Sequence, residues 1–191
     1  KKNVEIKKNS PVVDIKKSDD IFEISYLVNE EIETIKAKNI FFSNPLLDLI
    51  KIYDSDIPST VIESTKKLEY RNHISVHIST DRKLFDDNWI YIHSPELKIA
   101  RIADFSNFSN EMSPNGTCPL TLEYFCYEND KIWNDSDENI IKLAVNELRE
   151  IFDEDFQIID SHVSRNAKAY PVIKTGYQDE INIIKDWLQL E

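Results

Sequence analysis

Glycine is nearly missing from this sequence. The 191-residue chain has two, Gly116 and Gly176, against the roughly 7% usual in globular proteins. Loops that wrap a nucleotide phosphate need several glycines, because the backbone must approach the ligand closely. Neither a GxGxxG turn nor a P-loop can be written with these residues. Cysteine is as scarce, with Cys118 and Cys126 alone. Both fall in one apolar run. As a strand, that run holds their Cα atoms about 26 Å apart, far beyond disulfide reach. They read as reduced core residues of a cytosolic protein. Met112 is the single methionine and does not open the chain, so a fragment or a processed chain is expected.

Positive charge is also in deficit. The net charge is −12 and the pI near 4.8. That disfavours nucleic acid and anionic membrane as partners, since both need a basic face. No apolar run reaches the ~18 residues of a membrane span. The opening KKNVEIKKNS has charge but no apolar core behind it, so it is not a signal peptide. A cytoplasmic location without membrane insertion follows. Sequons at Asn107, Asn115 and Asn134 carry little weight without a secretory signal.

What is present is a good core-former, with 41% hydrophobic residues. The organising stretch is Cys118–Tyr127 (CPLTLEYFCY), bounded by Pro114-Asn115-Gly116 and by Glu128-Asn129-Asp130. An apolar run between breakers reads as a buried strand. Period 2 puts Leu120, Leu122, Tyr124 and Cys126 on one face and Thr121, Glu123, Phe125 and Tyr127 on the other. Both faces are largely apolar, which places the strand mid-sheet. Glu123 is the exception, and needs a partner or an open cleft.

Upstream, residues 1–43 read as a strand meander. Asn3–Lys7 alternates weakly; Pro11–Lys16 and Ile21–Val28 alternate well around an Asp19-Asp20 turn. Asn39–Ser43 reads as a further strand. Pro45 opens a short helix, and Ser59 or Thr60 caps another that runs through Lys67. A subdomain change is expected near residues 54–70. Strands are then expected from Asn72, at Trp89–His93 and at Ile99–Phe105. Asp135 and Glu138 start a helix through Phe152. Gln157–Ser164 is a strand, Arg165–Pro171 joins it to an extended loop, and Tyr177–Leu190 is a closing helix; the larger sheet is expected from 72 to 170. The class is α+β, with predominantly antiparallel sheets and a few covering helices.

The residues offer modest chemistry by themselves. His73 and His77 share a strand face, but i, i+4 on a strand puts Cα atoms about 13 Å apart, too wide for one metal. No GxSxG elbow exists. The acidic pairs sit in turns. We therefore assign no catalytic residue and no metal ligand. Arg101 interrupts the apolar strand IARIADF. It is either a bidentate phosphate clamp or a salt-bridge partner of Glu123. Tyr170, extended because Pro171 follows it, and Tyr177 can line a flat ring or a sugar.

The order of motifs resembles a known family. WIYIH (Trp89–His93), RIADFSNF (Arg101–Phe108), LEYFC (Leu122–Cys126), DKIW, LAVNEL and VSRNAKAYP follow one another as in FAD-dependent oxidoreductases of the flavin-containing amine oxidase and protoporphyrinogen oxidase superfamily. The branch it most resembles is the UDP-galactopyranose-mutase-like one, found with surface-polysaccharide genes. The resemblance implies a strand meander from the FAD-domain side over residues 1–53 and a substrate-binding domain over 54–191. It also implies that the family's Rossmann GxGxxG segment and its C-terminal flavin-contacting segment are missing here. FAD would belong to the longer parent, and this piece would bind it poorly and be inactive alone. Val13 would lie toward the adenine and Tyr170 toward the flavin ring. Tyr91, Arg101, Asn107, Tyr124 and Tyr177 would wall the substrate pocket. The substrate would be a small molecule, conceivably a nucleotide sugar, and an exposed sheet edge would allow a homodimer. The rival reading is a stand-alone, non-catalytic α+β ligand-binding module. A metal-dependent hydrolase using the histidines is a weaker third.

Overall fold

The computed structural model describes residues 4–113, 116–153 and 155–190. Asn3, Pro114 and Asn115, read above as strand, turn and sequon positions, lie outside these residues. In chain order the elements are β1 (Val12–Ser18), β2 (Ile21–Val28), β3 (Glu31–Ala37), α1 (Leu46–Ile52), α2 (Ser59–Lys67), β4 (Tyr70–Thr80), β5 (Trp89–Tyr91), β6 (Arg101–Asp104), β7 (Cys118–Cys126), α3 (Asp137–Phe152), β8 (Ile158–Pro171) and α4 (Tyr177–Leu190). The fold is α+β with two antiparallel sheets. The chain forms two compact units, Lys1–Glu69 with Ile173–Glu191, and Tyr70–Val172.

The first unit holds the sheet β1-β2-β3 with α1, α2 and α4. Its hairpins are tight because acidic and amide residues accept left-handed backbone: Asp19 has φ 54°, and Asn29 and Glu30 have φ 50° and 70°. A short polar side chain such as Asn29 pays little for that conformation. Two strand expectations fail here. Val4–Lys7 and Asn39–Ser43 are not in strands. An extended segment becomes a strand only by pairing its backbone, and neither finds a partner strand among the described residues. Phe41, expected inside a strand, is 99% exposed. The helix starts also differ. Pro58 holds the cap position of α2 and no side chain caps it, so Ser59 is the first helical residue rather than the cap.

The second unit is a five-stranded antiparallel sheet in the order β5-β6-β7-β4-β8. β7 lies in its middle, as its two-sided apolar pattern requires. One face packs under α3. Ile74, Val76 and Ile78 of β4, Ile102 of β6 and Leu120, Leu122 and Tyr124 of β7 meet Ile140, Ala144 and Leu148 of the helix in one buried cluster. Ser136 caps α3, its Oγ accepting from the Asn139 N–H at 3.3 Å. Asp135, expected as the cap, instead accepts from Ser136 N–H and Asn139 Nδ2. β8 runs to Pro171, so Arg165–Pro171, expected to lead into a loop, is strand. Pairing with β4 continues through Arg71 and Tyr170 past a bulge, where the Asn72 side chain accepts from the Lys168 N–H. Cys118 and Cys126 are both free and buried.

Candidate functional site

The opposite face of the five-stranded sheet carries the chemistry. Register sets its rows. Tyr91 of β5 faces Arg101 of β6, which faces Glu123 of β7, then Ser75 of β4 and Ser164 of β8. The next row is Trp89, Ala103, Thr121, His77 and His162. On the other side of the first row, Phe125 faces His73, which faces Asn166. Alternation explains the division: in β4, Ile74, Val76 and Ile78 point to the helix, so His73, Ser75 and His77 point away.

Glu123 is the electrostatic centre. It is 8% exposed and is gripped by Arg101, whose Nε and Nη2 donate to Oε2 and Oε1 at 2.8 Å each. Burial alone would push the Glu123 carboxyl up. His73 and Arg101 outweigh it and hold the group below the usual carboxylate range. The Arg101 guanidinium is in turn stabilised as a cation by Glu123. Its Nη1 donates to the Tyr91 hydroxyl at 3.4 Å, and its Cζ lies 5.7 Å from that ring's centre. His73 Nε2 faces Glu123 Oε2 at 3.5 Å, a charge contact too long and poorly aligned to count as a hydrogen bond, and this nitrogen makes no hydrogen bond elsewhere.

His77 is tied on both sides, Nδ1 to Thr121 Oγ1 at 2.9 Å and Nε2 to Ser164 Oγ at 3.2 Å. Its ring stacks on His162, with centroids 6.2 Å apart. Partial burial lowers its pKa, and the neighbouring His162 and His73 add to that. A small hollow of about 130 Å³ opens beside this pair, lined also by Ser79, Thr121, Asp160 and Phe105. At the other end of the face Phe125 and Tyr170 meet edge to face at 5.4 Å, and Tyr170 meets His73 in the same way at 6.1 Å. Half-exposed Trp89 stacks on Phe108 at 6.0 Å. The result is a polar floor with fixed donors and acceptors, rimmed by aromatic rings. Such a floor can bind and orient a flat or ring-shaped polar molecule.

Of the residues expected at the site, Tyr91, Arg101 and Tyr170 share this face. Arg101 is not a free clamp, because both its forks are on Glu123. Asn107 is in a single turn of 3-10 helix, Phe105–Asn107, where its Nδ2 donates to the Asp87 and Phe85 carbonyls. Tyr124 points the other way. It is 1% exposed and donates from its hydroxyl to Glu147 of α3 at 2.9 Å, so its side chain lies on the helix side and not on the open face; a hollow of about 330 Å³ lined by Tyr124, Lys98, Cys126, Lys131 and Ile132 among others opens beside it. Burial and Glu147 together push its phenol well above the ordinary range. Its parity with Leu120 and Leu122 had already put it on their face. Val13 is exposed on β1, and Tyr177 begins α4; both lie in the first unit. The sequence pattern brings His73 forward only as a metal ligand, and Phe125 and Thr121 not at all. The available signal was parity: each lies two residues from Ser75 or Glu123.

No group of three or more His, Cys, Asp or Glu among the described residues could hold a metal ion. The two glycines stand in separate loops at φ 73° and 85°, so no three-glycine pyrophosphate cradle forms. The first unit has an apolar hollow of about 300 Å³, lined by Ile15, Phe22, Phe42, Leu49, Tyr53 and Leu188 among others. It lacks the polar groups that orient a reaction. Among the described residues no helix is long and apolar enough to cross a membrane.

Comparison with known proteins agrees with this architecture. The model of the family "Flavin containing amine oxidoreductase" matches residues 1–180. No curated protein sequence matches the chain. Among solved structures, a putative protoporphyrinogen oxidase from Exiguobacterium sp. 255-15 aligns with TM-score 0.68 and 15% identity, covering 93% of this chain and 38% of that one. A reduced UDP-galactopyranose mutase aligns with TM-score 0.73 and 15% identity, covering 90% and 37%. An oxidoreductase from Methanosarcina mazei aligns with TM-score 0.60 and 12% identity, covering 82% and 37%. The chain thus spans under two-fifths of the length of these structures. With the family model matching from residue 1 to residue 180, the chain belongs to the flavin-containing amine oxidoreductase family.

Proposed function

We propose that this chain is the substrate-binding portion of an FAD-dependent oxidoreductase, and that the open face of the five-stranded sheet is the wall against which substrate and flavin ring are held. The observation that carries the reading is the Arg101–Glu123–His73 array, with Glu123 and His73 buried, set between Tyr91 and Tyr170. A sheet needs one apolar face for its core. Buried charge on the other face costs stability unless it serves a ligand or a fixed geometry. Bound FAD would supply the redox chemistry. The chain's own residues would bind, orient and exclude water: Tyr91, Trp89 and Tyr170 by ring contact, Thr121, Ser164 and His77 by hydrogen bonds. The absence of a phosphate cradle among these residues leaves the pyrophosphate to other parts of the parent.

A nucleotide sugar of surface-polysaccharide synthesis is the substrate we favour over an amine. Fold likeness to UDP-galactopyranose mutase supports it, and so do the aromatic rim and the hydrogen-bonding floor. The test is the visible spectrum of the protein purified from its complete gene. An oxidised-flavin band that UDP-sugars shift is expected. A shift with amines and none with UDP-sugars would remove the nucleotide-sugar reading. A protein that stays colourless after incubation with FAD would overturn the flavoenzyme reading and leave a ligand-binding module.

A further inference from the structure

Arg101, by sequence either an anion clamp or a salt-bridge partner, has its Nε and Nη2 committed to Glu123 and its Nη1 to Tyr91. Arg82 pairs with Asp81 and Arg165 with Asp137, and Arg149 is in the last turn of α3, away from the open face. Arg71 differs. It lies at the start of β4, opposite Tyr170 of β8. Among the described residues no carboxylate is within ion-pair distance of it; its contact is with an aromatic ring, its Cζ 5.1 Å from the centre of Phe125. A guanidinium resting on a ring keeps its charge and its planar fork of donors.

The surroundings form a built wall. Phe125 touches His73 at 5.2 Å and Tyr170 at 5.4 Å between ring centres. His73 is 9% exposed and packs on both rings; the Arg71 guanidinium rests on one of them, Phe125. Tyr170 is 41% exposed, and its contacts here are ring contacts, so its hydroxyl can donate to a ligand. Of the charged groups on the open face, Glu123 is neutralised by Arg101, and Asp160 is at the far end, beside His77 and His162.

We propose that Arg71 and Tyr170 form an oxyanion-binding subsite, with Phe125 and His73 as its rigid wall, which takes a phosphate or carboxylate group of the ligand. The subsite deepens the proposed substrate-binding role and rests on that reading for its biological meaning. It provides what Arg101 does not: a fork of donors with no internal acceptor. It also marks the substrate as an anion at that end, which an amine alone would not satisfy.

The experiment titrates the isotope-labelled chain with inorganic diphosphate and, separately, with malonate, following the Arg71 Nε–H and the Tyr170 ring by NMR. Diphosphate is expected to shift both signals. R71Q should weaken binding by about tenfold or more, the loss expected for a charge-assisted pair, at an unchanged melting temperature. R71K should fall between, because it keeps charge and loses the fork. Malonate shifting the same signals more strongly supports the subsite with carboxylate as its anion. If R71Q fails to fold, R71K and Y170F decide, and either binding several-fold weaker supports the subsite. Arg71 signals that neither probe moves, or variants that bind as the parent chain does, would overturn it. The flavin reading fails separately: a colourless full-length protein with intact diphosphate binding at Arg71 removes the flavin role and keeps the subsite.

Discussion

Replacing Arg101 with Met should destabilise the second unit in a pH-dependent way. The change removes two hydrogen bonds of 2.8 Å and a charge from a carboxylate that is 8% exposed. Stranding one partner of a buried pair costs about 3–5 kcal/mol. Two features reduce that here. The Arg101 side chain is 27% exposed, so solvent already screens part of the pair, and His73 remains 3.5 Å from Glu123. About 2–3 kcal/mol at pH 7 is the resulting expectation. In the parent chain Glu123 titrates below its unfolded value, so its contribution is present above the unfolded carboxylate pKa and is lost as pH falls through the folded one. In R101M burial acts against His73 alone, so the folded pKa of Glu123 rises above that of the parent chain and the variant loses less stability than the parent as pH falls. The gap between the two proteins should therefore be widest near pH 7 and narrow toward pH 4. Urea unfolding read by hydrogen exchange at the β7 amides isolates this unit from the other. A loss under 1 kcal/mol, or one constant from pH 7 to 4, would refute the reasoning. The double variant R101M/E123Q should recover most of the loss, because no buried charge is left unpaired.

Four further outcomes are expected. Leu148→Ala opens a cavity at a fully buried position under the sheet and should cost about 3–5 kcal/mol in urea unfolding, whereas Ser136→Ala should cost only about 0.5–1 kcal/mol by removing a cap. Cys118 is buried and its thiol is pushed up to about 11 by burial and by Asp104; about one molecule in a thousand would carry the thiolate at pH 8, so a thiol reagent should label it only after unfolding. Tyr124→Phe should lower stability by about 1–2 kcal/mol by leaving Glu147 short of a donor, and should leave ligand binding unchanged in titrations of the full protein.

The middle position of β7, its two faces and the Arg101–Glu123 pair were all readable from alternation, because burial on both sides leaves an unambiguous period-2 pattern. α3 was readable for the same reason at helical period. What escaped were features made by long-range pairing. β8 continues through Arg165–Pro171 because Arg71 and Tyr170 pair across the sheet, and nothing local in RNAKAYP encodes that partner. Asn39–Ser43 has strand composition but no strand to pair with among the described residues. Resemblance alone puts Tyr124 in the pocket wall, whereas its parity with Leu122 sets its side chain under the helix and off the open face. Arg71 drew no notice because its meaning depends on the absence of a nearby carboxylate, a fact of three dimensions.

The central claim is that the open face, and not the helix-covered face, meets cofactor and substrate. The most direct measurement is the flavin absorption spectrum of the full-length protein, with and without ligand, in Tyr170→Ala and Tyr124→Phe. The account predicts a displaced flavin band and weakened ligand response in Y170A, with both unchanged in Y124F. A displaced band in Y124F beside an unaltered Y170A would contradict it.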